Sequence, residues 1–486
     1  MSTPNDVTPT PIRVLNPYYS TFRDLYWTTC RDAYYGEEVI KQRREIYLKP
    51  SSGMVIDGMG EGQPGRVAYD NYLSRASFPD YFSDAVETYV GMILEKPPVI
   101  ELPTSMQYLL EGSTIAGESA VALLRRIYEK QLTSGRLGLL VEMPVSAVAG
   151  KEFYIALYED ISITNWDSSS DWENKDVLRL VDLNESCQVA DENGAWHAQL
   201  RYRRLVLNGE YQQTLEGSEA DGEPITPVYK GQPATFIPFV FVNSCDLLPM
   251  PRKPPLMNLV RLCMSIYRQD ADYKHALFMT GQDTLVVIGG LTSDGNGDST
   301  RVGAGAKIDL PVGGDAKYIG VNSQGLTELR KSLEDDKSRA AVLSGKLVTN
   351  NKTNQESGES LKVRLAAQTA TLKSIAITGA EALQTAFRFI ARWMGEDESK
   401  VNIKPNLEFA ALNLMGDDLV KLMTAKTLGA PISLLSMHKL LQERGLTNLE
   451  YQDELDKIKA EPSLATVQAS TKAAGIDSQA KPPATA

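Results

Sequence analysis

LKVRLAAQTATLKSIAITGAEALQTAFRFIARWMG, residues 361–395, is the longest helical pattern in the chain. Leu361, Leu365, Leu372, Ile375, Leu383, Phe387, Ile390 and Met394 recur at helical spacing, which lays one apolar stripe along the helix. At 1.5 Å per residue such a helix spans roughly 50 Å. Gly379 falls in its middle, where glycine costs about 1 kcal/mol relative to alanine, and predicts a kink or close packing at that point. Immediately before it, NNKTNQESGES (350–360) contains no apolar side chain at all. A bare polar loop in front of so cohesive an element reads either as a mobile surface loop or as a loop that must touch something without gripping it.

Upstream, the elements alternate in character. Leu326, Leu329, Leu333 and Leu343 predict a highly charged helix over about 324–344. TLVVIGG, RVGAGAKIDL and AKYIGV predict a small β unit over 282–322. Before that, the proline-rich PMPRKPP (249–255) opens a helix with Leu256, Leu259, Val260, Cys263, Ile266, Tyr267 and Leu277 in register. RLGLLVEM (136–143), FYIALYEDISITNW (153–166), VLRLVDL (177–183), AWHAQLRYRRLVL (195–207) and ATFIPFVFV (234–242) are rich in β-branched and aromatic residues. They predict a mostly antiparallel β region over about 136–243.

The N-terminal part is helical by pattern. An aromatic-rich stretch covers about 17–48, and SSGMVIDGMGEGQPG (51–65) reads as a flexible loop. Phe82, Ala85, Val86, Tyr89, Val90, Ile93 and Leu94 form one stripe that Pro97 and Pro98 stop, and another helix covers about 117–133. After the long helix, SKVNIKPNLEF predicts a strand and 416–459 short helices, while 461–486 reads as a disordered tail.

The chain has 486 residues, 42% hydrophobic and 23% charged, enough for two to four ordinary globular domains. Its net charge of −12 argues against an extended basic surface that would grip duplex DNA by counterion release. Cys30, Cys187, Cys245 and Cys263 lie far apart without CxxC spacing, so neither a zinc site nor a disulfide framework is expected. No stretch has the length of a membrane span or the pattern of a signal peptide, and the reading is a soluble intracellular product.

Motifs for chemistry are weak. His197, His275 and His438 show no ligand spacing, and no metal is expected. SGK (344–346) lacks the rest of a P-loop, and GAGAK (303–307) lacks the third glycine of a dinucleotide fingerprint. DGNGDST (294–300) begins like a calcium loop through Asp294, Asn296 and Asp298, but Ser299 replaces the needed glycine and Gly305 the bidentate glutamate. SMHK (436–439) sets Ser436 one helical turn from Lys439, the spacing of serine–lysine hydrolases, without the companion motifs. The expectation is a protein that is not an enzyme, with no catalytic residues and no cofactor.

The order of elements is more distinctive than any motif. A β-rich body, proline hinge, helix, small β insertion, helix, polar loop, long helix, strand and short helices together resemble the portal proteins of tailed bacteriophages. QESGESLKVRLAA (355–367), YLSRASFPDYFSDAVETYVGMILEKPPVIELP (72–103), YEDISITNW (158–166) and GAPISLLSMHKLLQERGL (429–446) also resemble sequences of that family. The resemblance covers about 70–460 and rests on pattern and order, not on a catalytic signature.

That resemblance implies an α+β, portal-like fold with a β-rich wing, two-helix stem, small β clip, long kinked tunnel helix and short helical crown. It divides the chain into a flexible arm (1–16), a wing (17–254), stem helices (255–281 and 324–345) around a clip (282–323), a tunnel loop (346–358), a tunnel helix with a wing strand (359–410), a crown (411–460) and a tail (461–486). The part after the tunnel helix is short, which implies no long helical barrel. The implied function is a ring, typically twelve-fold, at the unique capsid vertex, through which the genome is packaged and ejected. The implied location is the virion, after assembly in the host cytoplasm.

Partners implied are further copies of the chain, the major capsid protein, the terminase large subunit, a tail adaptor or head-completion protein, a scaffold protein, and double-stranded DNA read without sequence specificity; no membrane is implied. DNA-channel candidates are Lys346, Asn350, Asn351, Lys352, Thr353, Asn354, Gln355, Lys362 and Arg364. Clip candidates for motor or adaptor contact are Asp294, Asn296, Asp298 and Arg301. Polar amides and hydroxyls can exchange hydrogen bonds with passing phosphates without reading sequence. Over 350–395, Lys352, Lys362, Arg364, Lys373, Arg388 and Arg392 outnumber Glu356, Glu359 and Glu381, so the helix is no acidic wall. Another ring-forming head-completion or scaffold protein is the alternative, and a serine–lysine hydrolase a remote one.

Overall fold

The computed structural model describes residues 15–144, 152–167, 178–217, 220–280, 284–288, 312–319, 324–344, 358–407, 424, 426, 433–443, 447 and 449–460. Residues up to 407 form one compact unit and residues from 408 a second. The first is a mixed helix-and-sheet (α+β) unit, as the alternation of periods predicts.

Its N-terminal helices begin at Asn16, whose Oδ1 accepts from Tyr18 N at 3.0 Å and caps α1 (Pro17–Phe22). The Asn16 amide also donates to Trp166 O at 3.2 Å, so this residue is anchored and buried, not part of a loose arm. A π-helical turn (Arg23–Trp27) carries α1 into α2 (Thr28–Tyr35). Gly36, at φ 88°, then separates α2 from α3 (Glu37–Gln42), which divides the aromatic-rich stretch that periodicity reads as one helix.

Residues 51–65 correct the sequence reading of a flexible loop. Ser51 Oγ accepts from Met54 N and caps α4 (Ser52–Ile56), and Met54 is buried. Gly65, at the start of α5 (Pro64–Arg75), lies so close to the Met54 and Gly58 carbonyls that no side chain fits there. One apolar anchor and one close backbone approach order a segment whose composition reads as a linker. Helix α5 itself, held by Tyr69, Tyr72 and Leu73, is an addition to the sequence reading. Helices α6 (Tyr81–Ile93) and α8 (Ala120–Thr133) match their predicted stripes; α7 (Tyr108–Glu111) is a single turn between them.

The β region is antiparallel throughout its described pairings. A short β1 (Val99–Glu101) precedes it. Strand β2 (Arg136–Glu142) lies between β3 (Tyr154–Glu159) and a distant strand, Phe239–Asn243, and all seven of its residues are buried. The second sheet contains β4 (Ile163–Trp166) and β5 (Leu180–Asn184); among the described residues β6 (Cys187–Ala190) and β7 (Trp196–Gln199) form a separate two-stranded pair. With β8 (Arg201–Asn208), β9 (Glu210–Gly217) and β10 (Ala220–Ile225) the second sheet runs β10-β9-β8-β5-β4. A two-residue pair, β11 (Val228–Tyr229) and β12 (Gln232–Pro233), leads to β13 (Phe239–Asn243), the distant partner of β2.

Strand alternation assigns the two faces of the three-stranded sheet. Leu140, Phe239 and Phe241 share a core with Ile163, Trp166, Val181, Leu183, Leu205 and Tyr211 of the five-stranded sheet. Leu137, Leu139, Val141, Val240 and Val242 are left for the opposite face, where α8 and a long helix (Gly358–Met394) pack. Gly138 belongs to the first face, and a Cβ there would collide with the Phe239 ring.

The remaining elements of this unit are α9 (Met257–Thr280), the hairpin β14 (Thr284–Ile288) and β15 (Asp315–Ile319), α10 (Gln324–Leu343), α11 (Gly358–Met394) and β16 (Asn402–Lys404). Strand β16, where SKVNIKPNLEF predicts one, pairs antiparallel with β1. In the second unit, α12 (Leu434–Glu443) and α13 (Tyr451–Ala460) are described, with the His438 ring edge-on to Tyr451 at 5.3 Å. The predicted tail, 461–486, and residues 1–14 lie outside the described residues.

Candidate functional site

Helices α9 and α10 and the hairpin between them form one arm. The prolines at 254 and 255 cannot continue a helix backwards, so α9 starts directly after them. Its first two-thirds is buried through Met257, Leu259, Val260, Cys263, Met264, Ile266, Tyr267 and Ala271. Past Ala271 the burial ends: Leu277, Phe278 and Met279 are 42%, 52% and 61% exposed. Helix α10 runs back alongside. Gln269 Nε2 donates to Asp336 Oδ2 at 2.7 Å, Ser332 Oγ donates to Gln269 Oε1 at 3.2 Å, and Lys337 lies 4.0 Å from Asp270.

The β14–β15 register, Thr284 opposite Ile319 and Ile288 opposite Asp315, fixes the same antiparallel sense beyond the helices. Within α10 only Leu333 and Ala340 are buried among the described side chains. Its other faces carry the exposed local ion pairs Lys331–Glu328 and Arg330–Glu334, while Arg339 pairs with Asp336 on the side that meets α9. The base of α10 is held where Tyr89 of α6 donates to the Leu343 carbonyl at 2.8 Å.

The long helix α11 crosses the unit. Leu372, Ile375, Ala376, Ala380, Leu383, Phe387, Ile390 and Ala391 are buried, against α8, β2 and β13. Of the two readings of Gly379, the contacts supply the close packing. A Cβ there would lie 2.5 Å from the Tyr128 ring and 2.7 Å from Gln131 Oε1. Near its end, the Trp393 ring packs at a tilt against Phe153, centroids 5.5 Å apart, tying the helix to the residue that leads into β3.

Of the channel candidates, Lys362 and Arg364 lie in the first two turns of α11. Lys346, Asn350, Asn351, Lys352, Thr353, Asn354 and Gln355 lie outside the described residues, as do the clip candidates Asp294, Asn296, Asp298 and Arg301. Ser436 shares a hydrogen bond with Ser433 at 2.7 Å, and both are exposed. Among the described residues no group of His, Cys, Asp and Glu is placed to hold a metal ion, and no helix is long and apolar enough to cross a membrane. All four cysteines are free, Cys30 and Cys263 buried, Cys187 and Cys245 exposed.

Among the buried ionic groups that escaped the sequence reading are Arg203, Arg136 and Asp160. Arg203 of β8 bridges the two sheets, paired with Glu142 of β2 and, at 2.6 Å, with Glu185. Burial opposes its charge, but Glu142, Tyr158 and Glu185 outweigh that and raise its pKa. Its inward position was legible in the alternation with Leu205; its carboxylate partners were not. Arg136 is wholly buried, with its guanidinium 4.5 Å from the Trp166 ring and 4.9 Å from Phe241 and donating to Pro249 O at 2.8 Å. Burial lowers its pKa to about 9, which still leaves it cationic at neutral pH. Asp160 is the third: burial pushes its carboxyl up to about 6, against the opposing charge of Arg31.

A family model described as a domain of unknown function, DUF4055, matches residues 255–394, the span from the start of the arm to the end of α11. No curated protein matches. Among solved structures, the chain is similar to one in the neck of an empty GTA particle computed with C6 symmetry, at 12% identity and TM-score 0.39, covering 74% of this chain and 88% of that one. It is similar to a chain in the neck of the native GTA particle computed with C12 symmetry, at 14% identity and TM-score 0.35, covering 74% and 89%. A third similarity is to a chain of the virion of the native gene transfer agent particle, at 12% identity and TM-score 0.38, covering 80% and 98%.

Proposed function

We propose that this protein is a portal subunit of a tailed bacteriophage or phage-like particle. In this reading it forms a ring at the unique capsid vertex, a channel for genome packaging and ejection, with a docking site for packaging motor and tail adaptor. The observation that carries the reading is the antiparallel α9–α10 arm with its terminal hairpin, followed in sequence by a single 37-residue helix anchored in the body. A head-completion or scaffold protein is not expected to have that helix–hairpin–helix arm. The arm would be the stem and clip, and α11 the tunnel helix.

Physical chemistry supports the assignment. In the single chain α10 is covered on one narrow stripe only, so most of its surface is free for neighbours in a closed ring of heterologous contacts. A net charge of −12 disfavours tight binding of duplex DNA, as a conduit requires. The protein would then act without catalysis, guiding DNA while the motor supplies the work. Its partners would be its own copies, the major capsid protein, the terminase large subunit, a tail adaptor and a scaffold protein.

Mass photometry with negative-stain microscopy tests the reading. The expected result is a ring with a central channel near ~640 kDa, twelve copies of the 53.5 kDa chain. A monomer that persists at high concentration overturns it.

A further inference from the structure

The stretch YEDISITNW (158–166) sets two carboxylates side by side, and the fold treats them differently. Glu159 meets two cations, Lys130 Nζ at 3.0 Å and Arg31 Nη2 at 3.3 Å. Asp160, next along the chain, is 1% exposed, and its Oδ2 has no hydrogen-bond partner in the protein. Thr133, in the last turn of α8, is 4% exposed, and its Oγ1 likewise has none. Both residues line one cavity together with Arg31, Tyr34 and Tyr35 of α2, Lys130, Ser134 and Glu159.

The cavity has about 10 Å³ available to the centre of a water molecule, roughly the room one water needs. Unpaired buried oxygens are costly, and the two here are complementary: a carboxylate that only accepts and a hydroxyl that can donate. Charge selects among occupants. A metal cation would face Lys130 and Arg31, while an anion would face Glu159 and Asp160. A neutral molecule able to donate and accept at once suits both sets.

We infer that this cavity is a binding site for one ordered water molecule, which donates to Asp160 Oδ2 and accepts from the Thr133 hydroxyl. The water joins the last turn of α8 to the 3₁₀ turn after β3, beneath the second helix of the N-terminal segment. That gives Asp160 a structural role inside a stretch that the proposed ring function leaves unexplained, and it stands whether or not that function holds.

A map of the full-length protein, at a resolution that shows other buried waters, decides the point. The expected result is one isolated peak at hydrogen-bonding distance from both Asp160 Oδ2 and Thr133 Oγ1. An empty cavity in such a map overturns the inference, and so does a peak with the short, many-oxygen coordination of a metal ion. Urea unfolding supplies a second readout. Thr133→Val should lower the midpoint more than Thr133→Ser, which keeps the hydroxyl, and its effect should add less than fully to that of Asp160→Ala. Full additivity counts against a shared water. Should the substituted proteins fail to fold, the map of the unsubstituted chain remains decisive.

Discussion

The Tyr128 hydroxyl of α8 donates to the Ala376 carbonyl of α11 at 3.3 Å, while the ring of the same tyrosine presses on Gly379, three residues further along. One side chain thus supplies both the hydrogen bond and the steric reason for glycine in the middle of a long helix. Gly379→Ala should therefore destabilise the protein by about 1–3 kcal/mol, as overpacking does. In an open helix the same change stabilises by about 1 kcal/mol. Chemical denaturation of the two proteins distinguishes the signs, and a gain in stability would mean that α8 and α11 are not in close contact.

Arg203 sits between two nearly enclosed carboxylates, Glu142 and Glu185, and Glu185 also pairs with the half-exposed Arg201 at 3.0 Å. Arg203→Met should cost about 3–5 kcal/mol, since it takes away the arginine paired with Glu142 in the interior and leaves Glu185 with the half-exposed Arg201. Arg203→Lys should recover only part of the loss, because an ammonium cannot span both carboxylates as a guanidinium does. Equal stability of the arginine and methionine forms would remove this residue as the joint between the sheets.

Asp160 predicts a pH dependence of defined sign. Its carboxyl titrates near 6 when folded, against 3.8 as the ordinary value, so the folded chain holds the proton more tightly. The favourable contribution is complete below 3.8 and is lost as pH rises through about 6. Lys130, Arg31 and Glu159 face the same group and set the residual balance. Asp160→Asn should be the more stable form at pH 8, by an amount on the order of 3 kcal/mol at most. The difference should vanish toward pH 4, and thermal melts of both proteins across that range are the check.

Residues 51–65 should resist proteolysis in the native protein, because Met54 and Gly65 hold them down. Gly65→Ala would drive a methyl group into the Met54 carbonyl, so it should open the segment to limited elastase digestion, for which Val55 and Ile56 offer sites. Ser51→Ala, which removes the cap of α4, should act in the same direction and more weakly, by about 1 kcal/mol. Prompt cleavage of the unsubstituted chain between 51 and 65 would favour the flexible loop instead.

Replacing Lys346 and Lys352 with alanine tests the proposed passage of DNA. The expected phenotype is impaired packaging or genome retention with an intact ring, scored by DNA content of particles and by microscopy of the purified protein. Unchanged packaging would remove both lysines from the proposed DNA contacts.

Helix periodicity is a local property, and so the amino-acid sequence alone determined α6, α8, α9, α10 and α11, along with the strand-rich character of 136–243. Their order along the chain also suggested the proposed function. What only the tertiary structure decided depends on partners distant in sequence. Strand β1 exists because Val99–Glu101 finds Asn402–Lys404, three hundred residues away. Strand β2 is buried on both faces because Phe239–Asn243 returns to pair with it while two layers cover it. The segment after Ser51 is ordered by one methionine and a glycine without room for a side chain, and Arg203 is tolerated inside by Glu142 of β2 and by Glu185, which follows β5. A period in the sequence can show which face of an element is apolar; only packing shows what that face meets.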